Sequence, residues 1–166
     1  MACHGVRSFK GIRYAEPPVG NMRWKPPVAA GPWTGVRVAT EFGASCVQPP
    51  WRPGSVHSVY PPKFSEDCLF LNVWTPKDAS NALVILYSHG GSLLLGGSWE
   101  PYYDGTHFAE HGIFFVTINY RIGPLGWMAL PELSAESPQG VSGNYGMLDQ
   151  IESLRWVQKK YRSLWR

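Results

Sequence analysis

Residues 83–97 read LVILYSHGGSLLLGG, an apolar run of β-branched and aromatic residues that stops at His89 and two glycines. A run of that length, closed by glycine, reads as a strand buried on both faces of a sheet. A second run, IFFVTINY at 113–120, has the same character. The interval 89–112 between them holds the Gly-rich turn and a short helix candidate at 106–111, which is enough chain for a crossover between parallel strands. The pattern is α/β.

Outward from that unit, LFLNVWT at 69–75 alternates Leu69, Leu71 and Val73 with Phe70, Asn72 and Trp74, a third strand of the same sheet. Over 144–161, Met147, Leu148, Ile151, Leu154, Trp156 and Val157 recur at helical spacing, with Asp149 and Glu152 early and bases late, as a helix dipole prefers. An amphipathic helix is expected there. The first 65 residues offer short strands between Pro-bounded turns, read as a meander packed on the sheet. No domain boundary is visible.

The chain has 166 residues, 44% of them hydrophobic, enough to bury a core and too apolar for a disordered protein. Its net charge of +3 comes from the end: Lys159, Lys160, Arg162 and Arg166 lie in the last eight positions, and without them eleven bases face twelve acids. A basic footprint for nucleic acid is therefore not expected. No apolar stretch approaches the roughly 18 residues of a membrane span, and MACHGVRSFKG lacks the apolar core of a signal peptide. Cys46 and Cys68 flank a Pro-rich loop, a spacing that suits a loop-closing disulfide or two free thiols, and Cys3 has no evident partner.

The chemistry centres on HGGS, residues 89–92. Glycine lets the backbone take conformations closed to other residues and approach a ligand, and paired N–H groups in such a turn can stabilise an oxyanion. His89 by itself reads as a loop brace. No metal spacing, phosphate loop or dinucleotide fingerprint is present, so no cofactor is expected. Trp99, Trp127 and Leu93–Leu95 are candidates for lining an apolar pocket, with core packing the preferred reading for most of them.

Seven stretches in order carry more: FKGIRYAEPPVGNMRWKPP, FGASCVQPP, SEDCLFLNVWTP, the strand with HGGS, YDG, VTINYRIGPLGW and GNYGMLDQIESLRWVQ. Together, from about Phe9 to Gln158, they resemble the N-terminal part of the type-B carboxylesterase and cholinesterase family. The resemblance implies the N-terminal part of an α/β-hydrolase fold: a mostly parallel central sheet, flanking helices and an N-terminal β meander. It implies a serine esterase using a Ser-His-acid acyl-enzyme mechanism on a small-molecule carboxylic ester, or a non-catalytic, neuroligin-like binding member of the same fold. An intact serine elbow would separate the two.

Carried over by position, the oxyanion hole takes backbone N–H groups of Gly91 and Ser92, Ser92 standing where the family usually has a third glycine. The family's first disulfide falls on Cys46 and Cys68, worth about 3 kcal/mol by loop closure and implying an oxidising compartment, so that the parent protein would be secreted or periplasmic. Ser58 stands where cholinesterases hold choline on a Trp, and neither Trp51 nor Tyr60 takes that place, which disfavours choline esters. Buried structural ion pairs are implied for Arg23 with Glu66 and Arg121 with Asp149.

A nucleophile elbow G-x-S-x-G is absent, since GGSLL, GGSWE and GVSGN all fail at the last position. The final KKYRSLWR departs from the family's KNIAAFGGDP, and with suitable codons one added A after Gln158 converts one into the other. Residues 1–166 are therefore expected to be a partial domain with a frameshifted tail at 159–166, inactive alone.

Overall fold

The computed structural model describes residues 5–50, 54, 63–78 and 81–164, the last four for their backbone alone. Cys3, Trp51, Ser58 and Tyr60 lie outside the described residues. The strands are β1 (Val6–Arg13), β2 (Ser45–Cys46), β3 (Phe64–Ser65), β4 (Phe70–Pro76), β5 (Val84–Ser88) and β6 (Phe114–Ile118). The helices are α1 (Thr106–Glu110), α2 (Gly123–Trp127), α3 (Pro131–Ala135) and α4 (Tyr145–Leu164).

Four strands form one sheet in the order β1-β4-β6-β5, and β2 pairs with β3 in a small parallel ladder. Strand β5 runs parallel to β6 with Leu86 opposite Val116, joined by the crossover that carries α1. β4 is antiparallel to both β1 and β6, so the N-terminal side of the sheet is a meander and the parallel pairing begins at β5 and β6. The β1 to β4 register shifts between Phe9 and Ile12. There the Asn72 side chain accepts the Gly11 N–H at 3.0 Å, replacing a lost ladder bond.

Alternation along β4 sorts its side chains onto two faces. Leu69, Leu71 and Val73 pack with Tyr14, Val116 and Ile118, and on that side Trp156 and Val157 of α4 close the core. Trp74 faces the other way, with Phe115 and Ala109 of α1, and Phe108 stacks on Phe115 at 4.4 Å between ring centres. Each fully buried large side chain contributes about 1.5–3 kcal/mol, so α1, although five residues long, is held by aromatic packing and not by its own propensity.

Three expectations need correction. β6 is buried throughout, but β5 is not: it lies at the sheet's edge, where Ile85 is 38% exposed. One flank of β5 has no pairing strand among the described residues, and its apolar side chains are covered only in part. In α4 the inward face carries Tyr145, Asp149, Glu152 and Ser153, whereas Met147, Ile151 and Leu154 are exposed. The helix thus has two apolar stripes, and the sequence pattern merges them. Leu93 and Leu94 are also exposed, while Trp99 is in the core. None of the helices among the described residues is long and apolar enough to cross a membrane.

Candidate active site

The turn at 89–97 leaves the end of β5 and is held from below by the residues that follow β6. His89 is buried, its ring stacked on Tyr120 at 4.5 Å, and the Tyr120 hydroxyl donates to the His89 carbonyl at 2.9 Å. Its Nδ1 lies 2.8 Å from the Gly90 carbonyl, which fixes the tautomer with the proton on Nδ1. Burial lowers the His89 pKa to about 4, so the ring is neutral at pH 7. His89 braces the turn.

Beyond it the backbone coils left-handed, with φ of 116° at Gly91, 56° at Ser92 and 62° at Leu93. The Gly91 carbonyl turns back to accept from the amides of Leu94 and Leu95 at 3.0 and 3.1 Å, and Leu93 accepts from Gly123 N–H at 2.6 Å. Only glycine fits position 91, because a Cβ there would stand 2.0 Å from the Leu95 carbonyl oxygen. Serine and leucine tolerate their left-handed φ at a modest cost. Among the described residues nothing accepts from the N–H of Gly91 or of Ser92, and Ser92 is exposed. Successive free amides in a left-handed turn form a concavity suited to an anion.

Side chains that the sequence did not flag hold the turn's return leg. Gln48 accepts the Gly96 N–H at 2.8 Å and donates to the Gly96 carbonyl at 2.8 Å. Asn119 accepts from Ser98 N–H at 2.8 Å and donates to the Ala44 carbonyl at 2.9 Å. Asn72 donates to Ser98 Oγ at 3.0 Å and Thr117 Oγ1 at 2.9 Å, and Glu100 accepts from Gly97 N–H at 3.0 Å. A polar residue at an inward strand position, as in LFLNVWT, was the available signal.

The other candidate residues lie around this scaffold. Cys46 and Cys68 form a disulfide, closing the loop between them. Arg23 and Glu66 meet in two bonds of 2.6 and 2.7 Å, but at a half-exposed surface where such a pair is worth little, not in the interior. Arg121 and Asp149 are buried and joined by bonds of 2.8 and 2.7 Å, with a third from Arg121 N–H at 3.0 Å. An apolar cavity of about 610 Å³ is lined by Phe9, Ile12, Trp33, Val116 and Trp156 and lies on the α4 side of the sheet. It shares no residue with the turn.

His89 sets a pH dependence. Its folded value, about 4, is below the ordinary 6.5, so between these limits the unfolded chain binds a proton that the folded chain refuses. Stability is full above about pH 6.5 and falls by about 3 kcal/mol as pH approaches 4, at 1.36 kcal/mol per pKa unit. Urea midpoints from pH 7.5 to 4 should show that slope in the chain and a shallower one in His89→Gln; parallel slopes would remove His89 as its source.

The carboxylesterase family model matches residues 2–163. Fumonisin B1 esterase of Sphingopyxis macrogoltabida is 44% identical over 160 residues, covering 95% of this chain and 29% of that protein. Para-nitrobenzyl esterase of Bacillus subtilis (strain 168) is 41% identical over 158 residues, covering 94% of this chain and 31% of that protein. A solved structure of PNB esterase superposes with a TM-score of 0.82 at 39% identity, over 95% of this chain and 32% of that one. The chain therefore spans less than a third of the length of the relatives named here.

Proposed function

Because this chain belongs to the carboxylesterase family, we propose that it supplies the oxyanion-hole segment of a carboxylic ester hydrolase, with Gly91 and Ser92 N–H as the donors. The observation that carries this is the pair of successive amides that have no acceptor among the described residues, held in a glycine-dependent turn at the end of β5. In acyl transfer the carbonyl oxygen of the ester gains charge as the tetrahedral intermediate forms, and donors fixed beforehand bind that charge without reorganising. Ser92 offers the same N–H as a glycine. Its φ of 56° is one that glycine adopts freely, which explains why the two residues can exchange there.

The sequence contains no G-x-S-x-G, so the nucleophile has to come from residues other than these. The test joins residues 5–158 to the remainder of the Bacillus subtilis para-nitrobenzyl esterase. The chimera is expected to hydrolyse p-nitrophenyl acetate, while the 166-residue polypeptide gives no turnover above buffer. A folded chimera without activity would defeat the proposal, and so would serine-dependent turnover by the 166 residues alone.

A further inference from the structure

We propose that Gln48 is a positioning residue, a strut between the Cys46–Cys68 disulfide and the anion-binding turn, so that the geometry of Gly91 and Ser92 depends on the loop that this disulfide closes. The inference rests on the reading of Gly91 and Ser92 as oxyanion donors and adds to it a control on that site.

Gln48 follows Cys46 by two positions, and both ends of its carboxamide are engaged. Oε1 accepts from Gly96 N–H at 2.8 Å, and Nε2 donates to Gly96 O at 2.8 Å, to Ser45 Oγ at 2.9 Å and to Cys46 O at 3.2 Å. Two antiparallel bonds to one residue fix both the position and the rotation of the Gly96 peptide, as a strand partner would. Gly96 in turn touches the turn directly. A Cβ on Gly96 would stand 2.6 Å from the Gly90 carbonyl oxygen and 2.6 Å from His89 Nδ1, so its backbone is the wall against which His89 and Gly90 rest.

The other end of the strut is anchored too. Ser45 is fully buried, its N–H bonded to the Lys63 carbonyl at 2.7 Å, and Cys46 is bonded through sulfur to Cys68, one residue before the fully buried Leu69. The path from disulfide to donors is therefore short: Cys46, Gln48, Gly96, His89–Gly90, then Gly91 and Ser92. Every link is a covalent, hydrogen-bonded or close-packed contact. The Gln48 carboxamide is spent on Ser45, Cys46 and Gly96, so its effect on Gly91 and Ser92 acts through Gly96.

The experiment uses the full 166-residue chain labelled with ¹⁵N. Gln48→Met keeps the shape of the side chain and removes both bonds to Gly96. Amide exchange at Leu94, Leu95 and Gly96, the turn amides that carry hydrogen bonds, is expected to rise about tenfold, the factor that one or two lost hydrogen bonds carry, with Val116 and Ile118 unchanged. Reducing the disulfide in the wild-type chain should raise exchange at the same three amides. Unchanged exchange in Gln48→Met, or a rise spread equally over β6, would overturn the strut, and insensitivity to reduction would overturn its link to the disulfide.

A separate titration with butylphosphonate, a tetrahedral anion with an apolar tail, tests the donors themselves. It should shift the Gly91 and Ser92 resonances in the wild-type chain, with binding about tenfold weaker in Gln48→Met. Absence of any shift in the wild type would remove the oxyanion reading and the control built on it, whatever the exchange data say of the strut.

Discussion

Gly91→Ala in the chimeric esterase is expected to lower kcat on p-nitrophenyl acetate by about 100- to 1,000-fold, the effect of losing one preorganised oxyanion donor. The cause is steric. At φ 116° a methyl group would meet the Leu95 carbonyl oxygen at 2.0 Å, a backbone atom that cannot move without opening the turn bonds from Leu94 and Leu95 to Gly91. The substitution would therefore displace the Gly91 and Ser92 amides together. Ser92→Gly makes the contrast, because its φ of 56° suits glycine and no N–H is lost, and activity within about threefold of the parent is expected. Because the effect falls on a donor to the transition state, KM should move much less than kcat. A Gly91→Ala enzyme that keeps a third of the parent's kcat would mean that the amide at 91 does not face the developing charge.

How far this site could be read from the sequence depends on which residues carried a local signal. β4 and β6 were legible because LFLNVWT alternates and IFFVTINY is apolar throughout, and the structure buries both as those patterns require. The crossover with α1 followed from the length of the interval and the turn within it. β5 misled, since an apolar run reports how hydrophobic a strand is and not whether it has a neighbour on each side. α4 misled in the same way: Met147, Ile151 and Leu154 are apolar and periodic yet exposed, while the buried face contains Asp149 and Ser153.

What stayed invisible was the polar framework under the turn. Gln48, Asn72 and Asn119 act on residues 48, 26 and 21 positions away, and no short motif encodes a pairing at such separations. Their amide side chains suit the task because each can donate and accept at once, which is what a backbone segment outside regular secondary structure needs. The resemblance to a family pointed to Gly91 and Ser92 as the proposed donors; the physical account of why they could serve comes from the positive φ angles and from the contacts behind them.

Removing one partner of the Arg121–Asp149 pair is expected to destabilise the chain by about 3–5 kcal/mol, the usual cost of stranding a buried charge. Both side chains are nearly inaccessible, at 3% and 0%. Burial pushes the Asp149 carboxyl up from its ordinary value, with the three bonds from Arg121 pulling against it. That net direction means that the interior does not favour the charge for its own sake; what the pair contributes is position. Arg121 also donates to the Lys25 carbonyl at 2.8 Å, and a Cβ at Gly126 of α2 or Gly146 of α4 would meet the Arg121 carbonyl oxygen at 2.1 or 2.3 Å. One residue thus gathers the N-terminal loop, α2 and α4 directly behind Tyr120, which supports His89. Asp149→Ala leaves Arg121 charged and buried, so its urea midpoint should fall by the full amount. Arg121→Leu with Asp149→Leu removes both charges, and the double variant is expected to regain much of the loss while keeping a tight fold. If the double variant is as unstable as Asp149→Ala, then the bonds to Lys25 and to the backbone of Arg121, and not the stranded charge, account for the effect.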